Sequence, residues 1–162
     1  MGVKMKLIDK DILNFGESLI EPFNHDFVTP NGYDLSIEEV EINGKIFNLD
    51  NRDIPVPAKT FFRVMTRETV NLPESMVAQL WLRSTYARNG IQSTFGFVDA
   101  GFRGKLALSL YNTLNRIFLI RGNEKRTVCQ IVFENLRENP TKSYEKRTGN
   151  YQDQSALEKK SY

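Results

Sequence analysis

The chain has 162 residues, 40% of them hydrophobic and 26% charged, with a formal net charge of +2. That length suits one domain, 1–162, around a single buried core, and the near-neutral balance gives no reason to expect a nucleic-acid partner. One cysteine, Cys129, and one histidine, His25, exclude an intrachain disulfide, a Cys-pair zinc site and any multi-histidine metal site.

No apolar run reaches membrane-spanning length and no hydrophobic signal core opens the chain, so the expectation is a cytoplasmic protein with no membrane partner. Apolar residues three to four apart predict a helix over 8–15. His25 falls in the polar stretch Asn24-His-Asp26 and reads as a solvated loop residue. In Asn31-Gly-Tyr-Asp-Leu35 a turn leads into a strand, and Asp34 reads as an ordinary turn acid or as one that holds a hydrated cation. Residues 39–49 alternate about Asn43-Gly44, the signature of a two-residue hairpin turn. Further strands are predicted over 61–70, 76–82, 91–98, 105–111, 117–120 and 128–136, with a short helical turn over 84–90 capped by Ser84. Many short strands joined by turns imply an all-β sandwich or barrel. The polar, charged tail from about 140 would by itself be a disordered terminus, with Glu158, Lys159 and Lys160 serving solubility.

Besides the 31–35 stretch, three segments carry chemistry. Leu82-Arg-Ser-Thr-Tyr-Ala-Arg88 delivers a helix start, hydroxyls and two guanidinium groups, which suit a phosphate cradle or, equally, a helix cap with exposed arginines. Gly96-Phe-Val-Asp-Ala-Gly-Phe-Arg-Gly104 sets Asp99 at a turn, with Phe102 three residues on; this reads as a ligand site or as a solvated acid beside a core aromatic. Arg126-Thr-Val-Cys-Gln-Ile-Val-Phe133 is an apolar strand holding Cys129 as a small hydrophobe. It is interrupted by Gln130, whose amide needs a partner in a ligand or in its neighbours.

In this order and spacing, with Asn31-Gly-Tyr-Asp-Leu35 leading, the segments resemble the first four motifs of the trimeric dUTPase and dCTP deaminase superfamily. Arg83-Ser-Thr-Tyr-Ala-Arg88 and Val98-Asp-Ala-Gly-Phe102 look most like its deaminase-related branch, which includes archaeal-type dUTPases. The resemblance runs from about residue 8 to 154. It implies a distorted β-barrel or jelly roll with one or two short helices, a homotrimer with sites between subunits, a deoxynucleoside triphosphate substrate and Mg²⁺.

By the same resemblance, Asp99 directs water at the α-phosphate. Arg83, Ser84, Thr85, Arg88 and Gln130 hold phosphates, Phe102 packs on the deoxyribose, and Phe95, Ala107, Leu108 and Ser109 surround the base. Asp34 reaches Mg²⁺ through water, and Tyr144, Tyr151 and Gln154 belong to a C-terminal lid. Deaminases of this branch carry a proton-shuttling glutamate where Ser109 stands, and a hydroxyl of ordinary pKa is a poor base near neutrality. The expectation is therefore a Mg²⁺-dependent dUTP hydrolase releasing dUMP and pyrophosphate. A dCTP deaminase or bifunctional deaminase-dUTPase is the first alternative, and a non-catalytic nucleotide-binding regulator the second.

Overall fold

The computed structural model describes residues 5–123, 126–147 and 149–157. The charged ending Glu158, Lys159 and Lys160 lies outside the described residues. In chain order the elements are α1 (Asp9–Phe15), β1 (Ile20–Glu21), β2 (Val28–Thr29), β3 (Gly32–Ile42), β4 (Lys45–Asn48), β5 (Ile54–Val56), β6 (Phe61–Asn71) and β7 (Met76–Leu82). There follow α2 (Ser84–Arg88), β8 (Ile91–Ser93), β9 (Phe97–Val98), β10 (Arg103–Asn112), β11 (Phe118–Ile120), β12 (Thr127–Asn135) and α3 (Tyr144–Arg147).

Ten strands form one curled, half-barrel sheet in the order β8-β10-β6-β3-β12-β7-β9, with β1 joined to β6 and both β2 and β4 to β3; β5 and β11 make a separate pair. The all-β, dUTPase-like architecture is as expected. β3 is the hub: its first half pairs with β12 and its second with β6. Most of its residues are buried accordingly, where a one-faced strand would alternate. Tyr33, Leu35, Ile37 and Val40 of this strand are fully buried in a core shared with Phe62, Val64, Ile131 and Phe133.

The hairpin β3–β4 turns on Asn43 and Gly44, both at positive φ (51° and 78°), the two-residue geometry whose twist matches the flanking strands. Three predicted elements differ. The strand entering the Asn43-Gly44 turn begins at Gly32, seven residues before the expected 39. The run 91–98 is not one strand: β8 pairs with β10 while β9 pairs with β7, so the chain crosses between sheet regions within it. Ser84 is the first residue of α2 and does not cap it; Arg83 is the N-cap, in extended conformation and without a side-chain cap bond.

A bulge in β10 between Lys105 and Ala107 interrupts its pairing with β6. The Leu106 N–H left over donates to the Thr66 hydroxyl at 2.9 Å, so the donor freed by the bulge is satisfied. Bulges bend a strand and re-aim the side chains beyond them. Here that segment is 106–109. Among the described residues, no helix is long and apolar enough to cross a membrane.

Candidate functional site

The turn after β9 is closed by the Phe102 N–H donating to the Asp99 carbonyl at 3.1 Å, and pinned to the body by Leu72 N–H on the Phe102 carbonyl at 2.8 Å. Phe102 is therefore a core residue, 5% exposed, that also faces a cavity of about 380 Å³. The same cavity is lined by Phe95 and Asp99 from one side and by Ala107, Leu108 and Ser109 of β10 from another. Asp99 is exposed, and among the described residues its carboxylate has neither a hydrogen bond nor an ion pair; it is also the one carboxylate on the cavity wall.

The described part of the tail closes a third side. Tyr144 packs edge-on against Phe102 with ring centroids 5.4 Å apart, and its hydroxyl accepts from the Tyr151 N–H at 3.1 Å. Lys105 N–H donates to the Gln154 carbonyl at 2.8 Å, and Asp153 N–H to the Arg103 carbonyl at 2.8 Å. Tyr144, Tyr151 and Gln154 all line the cavity. The tail is thus tied by backbone bonds to the start of β10, and the Tyr144 N–H ties it to the Asp99 turn by donating to the Ala100 carbonyl at 3.0 Å.

The residues expected at phosphates lie elsewhere on the chain. Arg83 and Thr85 border a separate groove of about 530 Å³, which Arg116, Arg121 and Arg126 also line. Ser84 and Arg88 are exposed on α2. Gln130, whose partner was open, donates through Nε2 to the Thr29 hydroxyl at 2.6 Å. Its neighbour in register is Asp34. Asp34 is half-buried and ion-paired to Arg83 at 3.1 Å; burial raises its pKa and the guanidinium partly offsets that. Arg83 also donates to the Thr127 hydroxyl.

Asp34 is therefore committed to Arg83 and stands apart from the cavity, which is a poor fit to a resident divalent cation. No group of three His, Cys, Asp or Glu side chains suited to a metal occurs among the described residues. Cys129 is a buried free thiol, its pKa pushed up by burial, and His25 is exposed in a short helical turn with its ring edge-on to Phe23.

Among the cavity residues outside the expected site, one is charged. Arg63 of β6 sits on the wall directly opposite Ser109 in register. A signal existed in Phe61-Phe-Arg-Val-Met65, where a guanidinium interrupts an apolar run. On its far side Arg63 meets Glu41 of β3, donating from Nε at 2.6 Å and from a terminal nitrogen to the same carboxylate oxygen.

The model of the dCTP deaminase-like family matches residues 5–136. The chain belongs to that family, within the dUTPase and dCTP deaminase superfamily. It is 38% identical over 143 residues to a dCTP deaminase of Thermococcus kodakarensis, covering 87% of this chain and 89% of that one. It is 34% identical over 158 residues to a dUMP-forming dCTP deaminase of Hydrogenobaculum sp., covering 85% and 86%.

In fold it is similar to the 2′-deoxycytidine 5′-triphosphate deaminase of Agrobacterium tumefaciens, with a TM-score of 0.71 at 17% identity. The match covers 83% of this chain and about half, 49%, of that one. It is also similar to a point mutant of the dUTPase from phage phi11 of S. aureus, with a TM-score of 0.52 at 18% identity over 71% of this chain and 83% of the other. The latter structure concerns coordination of a structural Mg(II) ion.

These relatives correct the expected function. A dedicated dUTP hydrolase lacking deaminase activity was inferred from Ser109 alone, yet the relatives at 35–38% identity are named dCTP deaminases. The side chain at position 109 does not outweigh the similarity of the rest of the chain.

Proposed function

We propose that the chain is a dCTP deaminase, catalysing dCTP + H₂O → dUTP + NH₃, with the nucleotide bound in the cavity between β10, the Asp99 turn and the C-terminal segment. The observation that carries the reading is that this cavity gathers Phe95, Phe102 and the 107–109 segment around the one wall carboxylate, Asp99, within the stretch matching the deaminase-like family. Hydrolytic deamination needs a base for the water that adds at C4 and an acid for the departing amine. With serine at 109, Asp99 is the group assigned to that proton transfer. It takes the proton from water and returns it to the leaving ammonia.

Phe102 packs on the deoxyribose, and Tyr144, Tyr151 and Gln154 act as the lid. The divalent cation belongs to the incoming triphosphate, because Asp34 is held by Arg83.

Of the phosphate-binding residues, Arg83 and Thr85 border a groove apart from this cavity and Ser84 and Arg88 are exposed on α2, so the complete site is assigned to a homotrimer in which the 83–88 segment of a neighbouring chain supplies them. Exposed Trp81 and Phe97 support an association surface, since Phe97 pairs with Gln79 and Trp81 lies two residues further along the same strand face. Light scattering on the purified protein should give three times the chain mass; a monomeric mass would remove this part of the proposal.

A second reading, a bifunctional enzyme that carries dUTP on to dUMP, is favoured by the unpartnered Asp99 carboxylate and by the dUMP-forming relative. Purified protein is incubated with dCTP, and with dUTP separately, and ammonia and nucleotides are resolved by chromatography. Ammonia with dUTP supports deamination alone, and ammonia with dUMP the bifunctional form. Unchanged dCTP beside consumed dUTP would overturn both.

A further inference from the structure

We infer that Arg63, braced by Glu41, reads the pyrimidine edge in the cavity and selects cytosine over uracil. This rests on the nucleotide reading above and adds to it the residue that chooses the base. Ser109, Arg63 and Glu41 form one row across β10, β6 and β3, each directly opposite the next. Directly opposed residues project to the same face with Cβ atoms about 5 Å apart. Arg63 thus stands beside Ser109, at the end of the cavity where Thr94 N–H donates to the Ser109 carbonyl at 3.2 Å.

Two physical points make this guanidinium a reader of a neutral base and not of a phosphate. First, it is the one Lys or Arg on the cavity wall among the described residues, and its charge is already matched. Its side chain is 26% exposed and that of Glu41 only 12%, so the pair is largely withdrawn from water and close to neutral as a unit. Second, a guanidinium is a planar array of five donors with no acceptor, and Glu41 engages only Nε and one terminal nitrogen. The remaining N–H groups form a fork held rigidly by the ion pair.

A fork of donors matches two adjacent acceptors. Cytosine offers these in O2 and N3. Uracil offers O2 beside an N3–H, which would face a guanidinium N–H and leave two donors opposed. The Ser109 hydroxyl, alongside, serves as acceptor for the exocyclic amine of cytosine.

The test separates base selection from turnover. Asp99→Asn protein is titrated calorimetrically with dCTP and with dUTP, with the ligand checked for conversion afterwards. Arg63→Met and the paired Arg63→Met/Glu41→Met are made in that background; the pair leaves no orphaned carboxylate and guards against misfolding. A dCTP preference that falls about 10- to 100-fold in both variants, with dUTP affinity little changed, is the expected result.

An unchanged preference in the paired variant at an unchanged melting temperature overturns the inference, as does a parent preference for dUTP. Ammonia release by the unmutated protein is read separately. If it releases none while Arg63 sets a dCTP preference, the base-reading role stands and the deaminase reading falls. If it releases ammonia and Arg63→Met keeps the preference, the outcome is reversed.

Discussion

Glu68 is the deepest acid described, and its titration should be visible in the stability of the fold. It lies in β6 at 2% exposure. The Ser36 N–H donates to Oε2 at 2.9 Å and the Ser36 hydroxyl to Oε1 at 2.7 Å. Burial nevertheless dominates, and the carboxyl is pushed from its ordinary 4.5 up to about 7, with the Ser36 bonds and Arg67 opposing that rise. A carboxyl whose folded pKa lies above its unfolded one binds more protons in the native state between the two values. Stability therefore falls as pH rises from 4.5 to about 7 and is level above that window as far as this group is concerned. The full change is of the order of 3 kcal/mol.

Glu68→Gln removes the titration, and the Ser36 hydroxyl can rotate to accept from the new amide, so the bonding survives. Urea unfolding followed by circular dichroism at fixed protein concentration, at closely spaced pH values across and beyond the window, would give both curves. The parent should lose stability across the window and the variant should be flatter by about 3 kcal/mol. Equal slopes in the two proteins would refute the assignment of the buried charge to Glu68. The neighbouring half-buried Asp34, whose pKa burial also raises, contributes a residue of the same sign in both.

Three further outcomes are expected. Asp99→Asn should bind dCTP within a few-fold of the parent and lose about 10²- to 10⁴-fold in ammonia release, and parent-like turnover would remove Asp99 from the chemistry. Ser109→Glu puts a second carboxylate on the cavity wall, opposite Arg63, and should raise deamination kcat by about 10-fold or more, with unchanged or lower kcat counting against a proton-transfer role at that position. Gly104→Ala should loosen the tail. The residue has φ +149°, and an added Cβ would stand 2.9 Å from the Gln154 backbone nitrogen. Faster proteolysis after residue 140 and a KM raised about 5-fold or more, for a loss of roughly 1–3 kcal/mol where the tail docks, are the readouts; an unaltered cleavage rate would show that the tail does not depend on this contact.

What was legible in the sequence follows from how each contact is encoded. β6, β7, β10, β12 and the Asn43-Gly44 hairpin turn announce themselves by local pattern and by a turn dipeptide, so their positions come within a residue or two. By contrast β3, buried on both faces, does not alternate and begins at Gly32, seven residues before the expected 39. β1, β2 and β5 have two or three residues each, too few to show a period, and exist because β3, β6 and β11 offer them an edge. The break within 91–98 is likewise tertiary: β8 and β9 are drawn to different partners, which no local pattern records. On the site side, Phe95, Asp99, Phe102 and 107–109 lie close in sequence and meet in space, while the tail is placed over them partly by backbone bonds that leave no trace in the side chains and partly by the Tyr144 contacts.

Arg63 and Ser109 show why the functional expectation went astray. As an isolated side chain, position 109 is a hydroxyl, inert as a base near neutrality. In the sheet it is one member of a row in which Arg63 supplies donors and Glu41 supplies the balancing charge. The three come from strands far apart in the chain and are aligned only by the register of β3, β6 and β10. Register depends on bulges at 37–39 and 105–107, and a slip of one residue would turn the whole row to the opposite face. Chemistry assembled in this way is written in the pairing of strands and not in any contiguous motif. The charged residue that interrupts an apolar strand is the one trace it leaves in the sequence.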